Sequence, residues 1–107
     1  MRVHQSVYVV YKITKDDGQK ETKLKIFKQD KLNQFTEDLN NDLNGIILYD
    51  DTQPFFLDLN GDLRIDMVYV SGDSQEPKIK LARGDSEDFF GKKYTIEYFD
   101  NYVITPG

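Results

Sequence analysis

Apolar positions in this chain recur mostly at every second residue, and the stretches where they do so have strand-like composition. Val7-Tyr-Val-Val-Tyr-Lys-Ile13 is a β-rich run, and Glu21-Thr-Lys-Leu-Lys-Ile-Phe-Lys28 alternates polar with apolar. Between them Lys15-Asp-Asp-Gly18 is a turn cluster whose glycine tolerates positive φ, so the two runs predict a β-hairpin. From Gln29 to Asn44 the period changes. Leu32, Phe35, Leu39 and Leu43 fall at spacings of three and four, which would line one face of a short helix near 31–43, stopped by Gly45. Four asparagines in the same stretch are poor helix formers, which leaves a long loop with one or two helical turns as the other reading.

Strand signals return after Gly45. Ile46-Ile-Leu-Tyr49 and Pro54-Phe-Phe-Leu57 are short apolar runs separated by Asp50-Asp-Thr-Gln53, and Leu63–Val70 is a strand closed by Ser71-Gly-Asp-Ser74. Lys78-Ile-Lys-Leu81 and Lys93–Phe99 alternate. Counting both halves predicts about six or seven strands joined by turns, without βαβ alternation, and hence an all-β chain of antiparallel sheets. Composition agrees, with seven Tyr, seven Phe and two Met, a bias toward strand formers.

At 107 residues the chain is one domain or part of one. Fourteen Lys+Arg against nineteen Asp+Glu leave a net charge of -5. The cations are scattered rather than gathered into a stripe that would neutralise a phosphate backbone, so a nucleic-acid partner is not expected. No run of eighteen apolar residues would span a bilayer, and the opening MRVHQSVYVVYK lacks the long apolar core and small-residue cleavage site of a signal peptide, so the segment itself is expected to make no membrane contact. Zero cysteines exclude a disulfide scaffold, a thiol nucleophile and a cysteine zinc site, while leaving the compartment open. The one histidine, His4, lacks a second His or a Ser/Asp context and reads as a surface or strand-edge residue rather than a general base.

One motif carries chemistry. Asp58-Leu-Asn60-Gly-Asp62-Leu-Arg64-Ile-Asp66 places oxygen-bearing side chains at positions 1, 3, 5 and 9 of a loop. Calcium takes six to eight oxygens at about 2.3–2.6 Å, and alternate residues of a curled loop can direct carboxylates at one centre, with the Arg64 carbonyl filling a gap near position 7. Without a cation, three carboxylates held together would repel by about 1–4 kcal/mol per close pair. An EF-hand is excluded by Leu63 at position 6, Tyr69 at position 12 and a strand rather than a helix after the loop. Apolar runs on both sides make the loop a β-hairpin connection.

At these residues the chain resembles the FG-GAP repeats of integrin α-subunit-type β-propellers, whose calcium hairpins follow D-x-[DN]-x-D-G-x-x-D. Leu63 stands where the general repeat has Gly, with Gly61 beside it. Over Gly45–Val70 the string is similar, more narrowly, to the T-cell immunomodulatory protein (LINKIN) family, with its apolar entry strand, D-x-N-G-D loop with a final Asp, and apolar exit strand. The resemblance implies Asp58, Asn60, Asp62 and Asp66 as side-chain ligands of Ca2+, with Arg64 giving its main-chain oxygen. It also implies a non-enzymatic segment that works in adhesion or protein recognition, in the extracellular or secretory-pathway ectodomain of a single-span membrane protein. By that analogy 1–30 would be the outer hairpin of a preceding blade, 31–45 a connection, and 46–100 one blade with loop 58–66. That is about one and a half blades where a closed propeller needs four to eight, so the chain would be a single fragment of a longer one, or a small domain carrying the same hairpin.

Other features have blander readings. Asp50 and Asp51 read as solvated turn residues, and Asp38-Leu-Asn40-Asn-Asp42 copies the first five motif positions but has Ile46 at position 9. Arg83-Gly84-Asp85-Ser86 spells the tripeptide that integrins recognise and follows a predicted strand, where a loop tip would present it; Gly-Asp is also ordinary turn chemistry. The aromatics Phe55, Phe56, Tyr69, Phe89, Phe90, Tyr94, Tyr98 and Phe99 read as core and cross-strand packing. A metal-free interaction module, binding a protein through the acidic loop, a sheet edge or the Arg83–Ser86 turn, is the alternative from a different class. An enzyme would need a paired acid and base across a cleft, and Asp58, Asp62 and Asp66 lie too close in sequence for that.

Overall fold

A computed structural model describes residues 6–57, 65–73, 75–85 and 92–99. Eight strands form one antiparallel sheet: β1 (Ser6–Thr14), β2 (Lys20–Lys31), β3 (Gln34–Glu37), β4 (Ile47–Leu48), β5 (Phe55–Leu57), β6 (Asp66–Ser71), β7 (Lys78–Gly84) and β8 (Tyr94–Tyr98). The order is β1-β2-β4-β6-β7-β8, with β3 paired to β2 and β5 to β6. The chain is all-β, as its alternation predicts, with no helix among the described residues.

β1 and β2 form the expected hairpin, in register from Ser6↔Lys28 to Thr14↔Lys20 without a bulge. Its turn is closed by Lys15 N–H donating to the Gln19 carbonyl at 2.7 Å, and Gly18 there has φ +84°, a conformation that β-carbon-bearing residues rarely adopt. The helix expected near 31–43 does not form. β2 instead runs on to Lys31, Asn33 turns the chain back at φ 65°, and Gln34–Glu37 returns along β2 as β3. The asparagines decide this, because they supply backbone caps for turns. Asn44 Oδ1 accepts from Ile26 N–H at 2.8 Å, and Asn41 Oδ1 accepts from Leu43 N–H at 2.9 Å. Of the four residues spaced as a helical face, Leu43 is buried while Leu32 is 86% and Leu39 75% exposed. The spacing was an accident of a strand joined to a run of turns.

The register sorts side chains onto two faces, since successive residues of a strand point to opposite sides. Thr22, Leu24 and Ile26 of β2, Leu48 of β4, Met67, Tyr69 and Ser71 of β6 and Ala82 of β7 share the inner face. All are buried. Leu24, Ile26, Leu43, Leu48, Met67, Tyr69 and Ala82 make one cluster, flanked by Val10, Ile46 and Tyr94. The sheet curls over this cluster. Tyr8 of β1 and Phe56 of β5, which are separated by β2, β4 and β6 in the sheet order, bring their rings to 4.8 Å at a tilt of 44°.

The narrowest place in the sheet is β4, two residues long, pairing Thr22↔Leu48 and Lys23↔Ile47 on one side and Leu48↔Ser71 on the other. Gly72 lets the backbones meet here. Its N–H donates to the Ile47 carbonyl at 3.1 Å, and a Cβ at this position would stand 2.7 Å from the Leu48 carbonyl carbon and 3.0 Å from Tyr49 N.

Candidate functional site

β5 and β6 pair antiparallel as Phe55↔Val68, Phe56↔Met67 and Leu57↔Asp66. Short apolar runs with β-prone aromatics and valine make both strands, and Phe56 and Met67 face the core from them. The acidic motif is therefore the loop of a β-hairpin that opens after Leu57 and closes at Asp66. Asp58, Asn60, Asp62 and Arg64 lie outside the described residues, whereas Asp66 is the first residue of β6. The Asp66 side chain is buried, and its Oδ1 accepts the Gly84 N–H at 2.9 Å. That bond joins the end of β6 to the end of β7, beyond the pair Met67↔Ala82. A buried carboxylate is costly unless hydrogen-bonded, and this backbone donor offsets part of the cost. The bond was not legible in the sequence, where eighteen residues separate the partners.

Arg83 and Gly84 lie within β7 rather than on a loop after it. They pair with Thr95 and Tyr94 of β8, and Arg83 Nη2 stands 3.8 Å from Glu97 Oε2. Asp85 N–H donates to the Lys93 carbonyl at 3.0 Å, so the tripeptide follows the sheet, with Ser86 outside the described residues. Asp50 and Asp51 are exposed turn residues and hold the Lys12 ammonium, Asp50 Oδ1 at 4.0 Å and Asp51 closer. The Asp51 hydrogen bond is the main reason the Lys12 pKa is raised.

The second acidic string is built round a lysine. Asp38 is buried, its Oδ1 accepts no hydrogen bond, and the Lys92 ammonium lies 3.2 Å from that oxygen as the compensating charge. Asp42 N–H donates to the Lys92 carbonyl at 2.8 Å, and Asp42 Oδ2 accepts the Tyr94 N–H at 3.0 Å. Together these contacts fasten the turns 38–45 to the segment entering β8. Nothing at positions 38–42 announces a lysine some fifty residues away, so sequence reasoning missed it.

Two further groups shape the electrostatics of β6 and β7. Asp73 Oδ1 accepts from Ser71 Oγ at 2.7 Å and its Oδ2 from Lys80 Nζ at 3.0 Å, and these bonds lower its pKa, the Ser71 bond most. Burial, with a smaller push from the Asp73 charge, raises the Tyr69 hydroxyl to about 12. Among the described residues no three His, Cys, Asp or Glu side chains gather as a metal centre, and no helix is long and apolar enough to cross a membrane. No family model, curated protein or solved structure matches the chain.

Proposed function

We propose that the chain is a calcium-stabilised β-sheet segment of an extracellular or membrane-anchored protein that acts in adhesion or protein recognition, with no catalytic role. Its likeness to FG-GAP hairpins, and more narrowly to the T-cell immunomodulatory protein family, motivates the reading, including a propeller-type parent. The observation that carries it is the register of β5 on β6. Leu57 opposite Asp66 makes the stretch that begins at Asp58 a hairpin connection, the setting in which D-x-N-x-D-x-x-x-D oxygens converge on one hard cation. Asp66 fits a ligand role at the loop exit, since it is a buried carboxylate fixed at a strand end.

In this reading Asp58, Asn60, Asp62 and Asp66 bind Ca2+ through side chains and Arg64 through its carbonyl. The cation's work is structural. It neutralises carboxylates that repel each other and, by binding only the folded form, stabilises by mass action. Thermal unfolding in chelator and across a calcium titration, with magnesium as competing ion, tests it. The expected result is a calcium-specific rise in Tm that disappears in Asp62→Ala, while Asp62→Ala in chelator melts with the parent. A flat response in a well-folded protein overturns the metal reading and favours the metal-free interaction module.

A further inference from the structure

β1 is an edge strand with an unusual absence of guards. Natural edges are blunted by proline, bulges or outward charges that stop another strand from pairing. β1 has no proline, keeps an unbroken register with β2 over all nine residues, and pairs with no other described strand. Its single charge, Lys12, is turned to Asp50 and Asp51 and neutralised there. On the outer face Val7, Val9 and Ile13 remain exposed, at 43%, 44% and 37%.

Charge says what kind of strand belongs on this edge. Between Ser6 and Lys31 there are seven lysines against four carboxylates, whereas the remainder of the chain has seven cations against fifteen carboxylates. The hairpin is thus a basic element on an acidic molecule. Three of its lysines are already paired: Lys12 as above, Lys15 with Glu21 at 3.0 Å and Lys25 with Glu37 at 3.8 Å. Lys20, Lys23, Lys28 and Lys31 form no ion pair with the described residues. Three of these stand one strand in from the edge, opposite Thr14, Tyr11 and Ser6. A strand added outside β1 lies about 10 Å from β2, within reach of lysine side chains and near one Debye length at physiological salt. A second copy presenting the same edge would bring like charges together, which argues against self-pairing.

We propose that the β1 edge binds an extended acidic segment of a partner protein by strand addition. The segment alternates apolar residues, packed beside Val7, Val9 and Ile13, with carboxylates on the opposite face that meet Lys20 and Lys28, the uncommitted lysines aligned with Thr14 and Ser6; main-chain hydrogen bonds supply affinity and the lysines supply selection for charge. This site is independent of the calcium loop, and its test works in chelator.

The probe is a dye-labelled ten-residue peptide of alternating Val and Glu, titrated against the intact chain by fluorescence anisotropy. Three controls accompany it: a Val/Lys peptide, a Val/Glu peptide N-methylated at alternate amides, and a Lys20→Glu/Lys28→Glu variant. Binding of the Val/Glu peptide that weakens with salt, falls about tenfold or more in the variant and is absent for the N-methylated peptide is the expected result. Hydrogen exchange should show protection confined to β1 amides. Equal binding of the Val/Lys or N-methylated peptide, protection elsewhere, or no binding of Val/Glu overturns the proposal. So does concentration-dependent dimerisation of the free chain through β1, seen by sedimentation, which would make a second copy the occupant.

Discussion

Asp66 separates two kinds of contribution that an acidic loop can make. Its Oδ1 holds the Gly84 N–H, a bond that depends on no cation. Asp66→Ala should therefore lower stability by about 1–3 kcal/mol even in chelator, the cost of stranding a buried donor, whereas Asp66→Asn, which keeps an acceptor, should recover much of it; urea unfolding in chelator distinguishes the two. Lys92 has a comparable duty toward Asp38. Replacing it with Met leaves a buried carboxylate without its counter-charge, and a loss of about 1–3 kcal/mol by urea unfolding is expected, discounted because Lys92 is partly exposed. Tyr69 gives a pH signature. Its hydroxyl ionises near 10 in the unfolded chain but at about 12 in the fold. Below pH 10 both states are protonated and stability does not depend on this group. As pH rises from 10 toward 12 the unfolded chain gives up the proton first, so the fold loses up to about 2–3 kcal/mol. Tyr69→Phe should remove that part of the alkaline slope in unfolding measured against pH.

At the scale of elements, alternation made β2, β7 and β8 legible and β-prone composition made β1 and β6 so. β3 was hidden. Phe35 alone carries apolar character in Gln34–Glu37, and its strand form comes from pairing Phe27↔Glu37 through Lys31↔Gln34, a tertiary cause that a local pattern cannot encode. The spacing of oxygens that marks the candidate loop stays a reading of the sequence, since 58–64 lie outside the described residues. The Gly84 clamp on Asp66 and the lysine under Asp38 were not legible, because each joins residues far apart in the chain. Gly72 is likewise a residue whose reason lies in another strand. With the Leu48 carbonyl occupying the space a Cβ would need, Gly72→Ala should push β4 from β6 and cost about 1–3 kcal/mol, read as a lower Tm with the β1–β2 hairpin amides still protected.

The described residues form one sheet curled over one core, with Tyr8 on Phe56 closing the curl. The molecule's charge is divided along the same line as its topology: the basic hairpin lies at one end of the sheet order and most of the carboxylates belong to the rest of the chain. The charge distribution alone should let the protein bind an acidic surface through one end despite its net charge of -5. Retention on a cation exchanger at neutral pH, lost in the Lys20→Glu/Lys28→Glu variant, is the expected outcome.

The shortness of β4 also matters under load. The β1–β2 ladder spreads tension over nine pairings, whereas the two halves of the sheet are joined through β4 by two pairings to β2 and one to β6. A tether pulling the first and last strands apart would concentrate strain on that two-residue seam and on the core beneath it. The protein should yield there first, between β4 and β6, parting into two four-stranded pieces, which gives it a defined breaking point short of complete unravelling.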